Sequence, residues 1–346
     1  MKPTLTPAAV FGSRVPGEKQ LTDDAIVASW LKHWSQPPTR AEYALSISTA
    51  IESWPNRVMD LSFRSRGIQL THAQRDWLAG IAGECSPRSG LTEPQANARF
   101  AEIAQHPMFE EIAGIAQAVI GQFKEPPFFK FGTRSPKDSP FFCDFNGRVP
   151  NGGAVICNIA TSWRAFEDLA ISQVQAGGTG VIISGLRNVL NAALRAPEQP
   201  CAIDHPPWLW FREYAQWEPW QEFRCFMRDG RFAGATQYYG VDPKVGPLAV
   251  YPQLVDSGPF YETAIIEFFH NRFAPAVEDY LRSCVFDVVV DLEADSVHLI
   301  EINPARPTTF PGLKDWHRPE TFNGELDWLA DEVPRVIVGA EGVRHG

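Results

Sequence analysis

Residues 285–316 read VFDVVVDLEADSVHLIEINPARPTTFPGLKDW. Residues 285–290 are apolar or β-branched apart from Asp287, which is a strand signal. Residues 292–296 supply turn chemistry, and residues 297–302 return as a second strand. Strand side chains alternate faces, so Asp287 shares a face with Asp291, and Glu301 with Asn303. A loop of Glu293, Ala294 and Asp295 pairs Leu292 with Ser296, sets Asp287 opposite Glu301 and merges the two faces. Two carboxylates and an amide oxygen then converge in a hard-oxygen site suited to Mg²⁺ carrying a nucleotide phosphate. A one-residue slip would separate the acids. The competing reading is an edge hairpin with solvated acids. Against it stands Glu-Ile-Asn-Pro at the strand end, since acids are rarely buried without a partner. Like-charge repulsion should raise the pKa of one acid, and Asp287→Asn is expected to leave the fold intact.

Upstream, residues 260–282 read as a helix carrying Ile265, Ile266, Phe268, Phe269 and Tyr280, kinked or split at Pro275. Residues 208–214 form a strand, and residues 221–228 and 231–239 flank Asp229-Gly230, the strongest two-residue hairpin turn. Residues 128–131 and 153–159 are further strands, with Thr161 and Ser162 as N-caps for a helix over 163–175. The glycine cluster at 175–180, leading into a strand at 181–184, suits backbone phosphate contacts. It lacks the Gly-Lys-Ser/Thr ending of a P-loop, and a helix C-cap followed by a tight turn competes. Helices are expected over 22–34, 39–54, 71–84 and 93–123, the last broken at Pro107. The N-terminal third is thus mainly helical and carries no motif tied to chemistry. The tail from Thr321 reads as a closing helix and a polar end.

The chain has 346 residues, enough for one large or two ordinary domains, with 44% hydrophobic and 21% charged residues. A net charge of −10 argues against nonspecific binding to nucleic acid or anionic membrane, while leaving room for a local phosphate pocket. Residues 1–20 have no apolar signal region, and there is no 18-residue apolar run. Six cysteines without CxxC spacing and eight histidines without HxxxH spacing fit reduced thiols and no zinc site. The expected location is the cytoplasm.

Lys130 and Lys137 frame the loop KFGTRSPKD in a protein with only eight lysines, and lysine suits phosphate as a mobile point charge. Solvated loop charges are the alternative. Parity puts Glu222 and Arg224 on one strand face, where an exposed ion pair would be worth little.

With RSPKD at 134–138, EFRCFMRDGRFAG at 222–234 and FDVVVDLEADSVHLIEINP at 286–304, the chain resembles the cell division cycle protein 123 family of the ATP-grasp superfamily. The resemblance covers about residues 126–316. It implies an α+β ATP-grasp fold, with two lobes of antiparallel sheet sandwiching ATP and Mg²⁺. That domain spans 125–320, after a helical region 1–124 and before a C-terminal helix and tail at 321–346. It places Lys130 and Lys137 at the nucleotide, Arg212, Glu213 and Tyr214 at the adenine hinge, and Glu222 and Arg224 on the phosphate side. Asp287, Glu301 and Asn303 are implied as metal ligands. Two departures stand out: Gln237 is followed by Tyr238-Tyr239 where the family has Arg-Asp, and residues 305–308 differ.

The superfamily's usual reaction is ligation of a carboxylate to an amine through an acyl phosphate, here on a peptide or small metabolite. Arg224 and Lys137 would stabilise the transferring phosphoryl group. Eukaryotic members of the nearest family are instead ATP-binding assembly chaperones for translation initiation factor 2. A nucleotide-binding regulatory domain without turnover is the third reading. Because both departures lie where a partner would be met, the ligase reading leads on sequence alone, with neither nucleic acid nor membrane as partner.

Overall fold

The computed structural model describes residues 40–86, 89–133, 135–175, 203–238, 250–307 and 309–329. The expected helix over 22–34, most of the glycine cluster, the strand at 181–184 and residues 330–346 lie outside them. The chain divides into two units, Met1–Ala44 with Ser65–Tyr214, and Leu45–Arg64 with Ala215–Gly346. Among the described residues the chain begins with helices α1 (Arg40–Thr49) and α2 (Asn56–Met59).

The first unit begins its sheet with β1 (Ser65–Gln69), a short strand inside the stretch expected to be mainly helical. Helix α3 (His72–Ile81) starts at a reciprocal cap. Thr71 Oγ1 accepts from Gln74 N–H at 3.2 Å, and Gln74 Oε1 accepts from Thr71 N–H at 2.9 Å. Helices α4 (Glu93–Gln105) and α5 (Pro107–Ile120) meet at Pro107, which cannot continue one helix but suits the first turn of the next. Then come β2 (Phe128–Phe131), α6 (Pro140–Asp144), α7 (Gly152–Ala160), α8 (Trp163–Gln175) and β3 (Trp208–Arg212).

Helix α7 corrects the strand expected over 153–159. Its run GGAVICNIA is buried at every residue except Ala154, so no polar stripe reveals the helical period. Asn151 starts it, Oδ1 accepting from Ala154 N–H at 3.0 Å. The sheet order is β1-β3-β2, antiparallel throughout. Phe129, Phe131, Leu209 and Phe211 join one core with Leu78, Ile156 and Phe166 of the helices.

The second unit carries β4 (Glu222–Arg228), β5 (Arg231–Gln237), helix α9 (Pro252–Phe268), a π-helical turn at Phe269–Phe273 and helix α10 (Ala274–Val277). Strands β6 (Cys284–Asp291), β7 (Ser296–Pro304) and β8 (Leu326–Asp327) follow. The sheet order among the described residues is β7-β6-β4-β5-β8, with β5–β8 parallel and the other strand pairs antiparallel. The β4–β5 turn keeps Asp229 and Gly230 at φ of 51° and 78°, as its two-residue connection requires. Helix α9 starts eight residues before the expected position, and the helical run divides near Pro275 as expected.

Pairing assigns the sheet two chemically different faces. Phe223, Cys225, Phe286 and Val288 point one way. Leu254, Tyr261, Ile265 and Phe268 of α9, all buried, recur at helical spacing. Phe223 lies 5.1 Å from Tyr261, and Phe286 lies 4.0 Å from Phe273 of the π-turn, measured between ring centroids. Glu222, Arg224, Asp287, Glu301 and Asn303 point the other way.

The β6–β7 connection differs from the expected loop, yet the acids still meet. Asp291 pairs with Ser296, leaving four loop residues. Asp291 Oδ1 closes the turn by accepting from Glu293 N–H and Ala294 N–H, each at 3.0 Å. That register alone would misalign Asp287. A β-bulge corrects it: Val288 pairs with Leu299 and Asp287 with Glu301, so Ile300 is the extra residue.

No helix among the described residues is long and apolar enough to cross a membrane. Cys85, Cys157, Cys225 and Cys284 are buried, whereas Cys143 is exposed. Burial pushes the Cys85 and Cys157 thiols up to about 12, with Glu84 adding to the first. The thiolate is the reactive form. Brief alkylation of the native protein should therefore modify Cys143 well before these four, as read by peptide mass spectrometry. Equal labelling of any of the four would contradict the packing.

Candidate functional site

The polar face of the five-stranded sheet gathers around Arg224. Its Nε and Nη2 donate to Asp287 Oδ1 and Oδ2, both at 2.8 Å, the two-pronged geometry that a guanidinium and a carboxylate share. Its Nη1 donates to Phe310 O at 2.7 Å, and its guanidinium carbon lies 4.9 Å from the centre of the Tyr238 ring. Glu301 Oε1 is 3.9 Å from Arg224 Nη2. Asn303 Nδ2 donates to Glu301 Oε1 at 3.1 Å and to Asp287 Oδ2 at 3.4 Å. Asp287 is 1% exposed and Arg224 6%. These are not solvated hairpin charges, and the partner of Arg224 is Asp287 across the sheet rather than Glu222. Glu222 Oε2 instead accepts from Trp217 Nε1 at 2.9 Å.

Burial pushes Asp287 up to about 6 against the pull of Arg224, and Glu301 adds to the rise. The expected direction holds, but desolvation exceeds like-charge repulsion as its cause. Burial works against the Arg224 charge too, and Asp287 more than restores it, so its pKa lies above the ordinary arginine value.

The segment after β7 folds over this face. Phe226 meets Trp316 at 5.9 Å and Phe322 at 5.1 Å, edge to face. Lys314 is 1% exposed, yet its ammonium is fully engaged. Nζ donates to Asn323 Oδ1 at 3.2 Å and Glu325 O at 3.1 Å, and pairs with Asp327 Oδ2 at 3.0 Å. A Cβ on Gly312, at φ 65°, would come within 2.2 Å of Thr236, so this cover needs glycine there. Tyr238 and the Phe310 carbonyl were not among the expected site residues. Strand parity from Thr236, paired with Arg224, is the signal that would have found Tyr238.

The donor chemistry suits a magnesium ion. Among the described residues no group of three or more His, Cys, Asp or Glu side chains could hold a metal. Two carboxylates with a carboxamide are what Mg²⁺ uses when phosphates and waters complete its shell. Asn303 presents its Nδ2 to both acids, so its oxygen would reach a cation after an amide rotation.

The other expected site residues lie in the first unit. Lys130 is buried in β2 opposite Trp210, and Arg212 is buried at the end of β3. Glu213 is exposed, and Tyr214 lies under Arg148, whose guanidinium carbon is 4.8 Å from its ring centre. Lys137 is exposed on the turn before α6.

A family model described as D123 matches residues 84–328. A translation initiation factor eIF2 assembly protein of Sclerotinia sclerotiorum is 33% identical over 128 residues, 37% of this chain and 27% of that protein. Its counterpart from Botryotinia fuckeliana is 30% identical over 128 residues with the same coverage. The match thus spans 27% of the length of the curated relatives. Among solved structures, C-terminally truncated Cdc123 from Schizosaccharomyces pombe superimposes with a TM-score of 0.57 at 18% identity, covering 85% of this chain and 99% of that one. Cdc123 from the same organism gives 0.56 at 18% identity, covering 83% and 98%. At that identity the likeness concerns the α+β fold.

Proposed function

The chain belongs to the D123 family, and from that premise we propose that it is an ATP- and Mg²⁺-dependent protein-assembly factor. The observation that carries the nucleotide part is the cluster of buried Arg224 and Asp287 with half-buried Glu301 and Asn303, on the face of the second unit's sheet opposite α9. A buried carboxylate beside a second acid and an amide is costly as a structural element, and becomes useful where a divalent cation and phosphates arrive. In this reading the fold is ATP-grasp. Asp287, Glu301 and Asn303 would hold Mg²⁺, which when bound neutralises phosphate charge. Arg224 would contact the phosphates, and Glu222 would support the nucleotide side of the cleft. Lys130, Lys137, Arg212, Glu213 and Tyr214 are proposed for the remainder of the nucleotide.

The relatives' names reverse the order preferred on sequence alone, and assembly now stands ahead of ligation. The partner class is a multi-component protein such as the translation initiation factor for which those relatives are named. Calorimetric titration with ATP should show binding that depends on Mg²⁺. At a hundredfold excess over Kd the fold should gain about 2.7 kcal/mol by linkage. Absence of Mg²⁺-dependent binding at millimolar ATP would overturn the nucleotide part. For the assembly part, the yield of complex from purified components should rise with the chain and ATP together. An unchanged yield, with ADP released when acids and amines are supplied, would restore the ligase reading.

A further inference from the structure

We infer that Asp168, with Arg164 and Asp138, is a positioning set that fixes the loop presenting Lys137 to phosphate. The inference rests on the nucleotide reading above and assigns a role to residues outside the proposed ligand contacts. Lys137 is exposed on a loop that bonds to one helix from both sides. On the upstream side, Thr133 N–H donates to Asp168 Oδ2 at 3.0 Å, and Thr133 Oγ1 lies 3.1 and 3.2 Å from the two Asp168 oxygens. Gly132 has φ of 51°, and a Cβ there would come within 2.8 Å of Asp168 Oδ2. Glycine is therefore what lets the chain approach this carboxylate.

Next along the loop, Ser135 O accepts from Arg164 Nε at 3.0 Å. On the downstream side, Asp138 caps the start of α8. Its Oδ2 accepts from Trp163 N–H at 2.8 Å and Arg164 N–H at 3.2 Å, and its Oδ1 from Ser162 Oγ at 2.6 Å. The loop is braced internally as well, Lys137 N–H donating to Ser135 O at 2.8 Å and Ser139 N–H to Pro136 O at 2.9 Å.

The chemistry follows from these bonds. Asp138 stands in the Ser-Pro-Lys-Asp motif, yet its carboxylate serves the helix end. Its sign is wrong for phosphate and right for a helix N-terminus. Ordering a loop only on binding would subtract from affinity, and anchoring it beforehand removes that cost. Asp168 acts at a distance, through the backbone of the residues that carry Lys137.

The test is a double-mutant cycle on the full chain, with ATP·Mg²⁺ titrated by calorimetry and melting followed separately. Lys137→Ala should lower affinity about 10- to 100-fold, as for loss of a charge-assisted contact. Asp168→Asn should lower it several-fold. The two together should be no weaker than Lys137→Ala alone, because Asp168 acts through Lys137. A merely structural role would give losses that add. Thr133→Ala should repeat the coupling and Thr133→Ser should restore affinity, which keeps the idea testable if Asp168→Asn folds poorly. Additive losses, or full affinity in both Asp168→Asn and Thr133→Ala, overturn the inference while the nucleotide reading stands. A wild-type chain that binds no ATP·Mg²⁺ overturns both.

Discussion

Asp287→Ala should destabilise the fold by about 3–5 kcal/mol, because it leaves the buried Arg224 guanidinium without its counter-charge. This reverses the sequence-based expectation that Asp287→Asn leaves the fold intact. That expectation held only while Asp287 faced a like charge. With a bidentate arginine on both oxygens, loss of the negative charge strands a cation at a site 6% exposed. The pair as a whole is a different matter. Arg224→Met with Asp287→Leu removes both charges and fills the space with apolar atoms, and such exchanges are often neutral or stabilising. The double variant should therefore regain most of the stability lost by the single one and still fail to bind ATP·Mg²⁺. Urea unfolding and nucleotide titration on the same three proteins check both halves. A single variant as stable as wild type would contradict the buried pair, and a double variant that binds ATP·Mg²⁺ normally would contradict its proposed use.

Gly152→Ala is the second large effect. A Cβ at Gly152 would lie 1.9 Å from Ala113 O and 2.7 Å from its carbonyl carbon. Those are backbone atoms in the middle of α5, and they cannot swing aside as a side chain would. The strain should reach or exceed the upper end of the roughly 1–3 kcal/mol usual for overpacking. Gly114→Ala supplies the control one residue from the point of contact. Nothing lies within 4 Å of its added Cβ, and alanine favours the helix by about 0.5–1 kcal/mol over glycine. Thermal melts of the two variants should move in opposite directions. A fall for both would mean that α5 and α7 are not packed this closely.

The readable parts of the fold were those with local chemistry. Asp229-Gly230 named its hairpin and Pro107 its helix break, each through a rule that acts within a few residues. The acids of the β6–β7 hairpin were legible as a pair but not in their mechanism. The expected three-residue loop is short by one, and the bulge at Ile300 compensates by one. Nothing in the residues 285–304 alone distinguishes those two routes to the same alignment. Helix α7 was misread because a run buried on all sides carries no period. The ion pair of Arg224 with Asp287 was missed because its members are 63 residues apart, and strand order, not parity, brings β4 beside β6.

The division of the chain also sets a timetable. Leu61 and Ser62 belong to the second unit, and both bond to Leu299. Leu299 N–H donates to Leu61 O at 2.8 Å, and Ser62 Oγ donates to Leu299 O, 237 positions later in the chain. At the usual pace of about 5–20 residues per second on a ribosome, roughly 12–47 s pass between the making of the two ends. All of residues 65–214 are synthesised in that interval, and they can pack on one another before Leu299 exists. The first unit thus has a head start, while the segment 45–64 emerges early and waits for the last strands to give it a place.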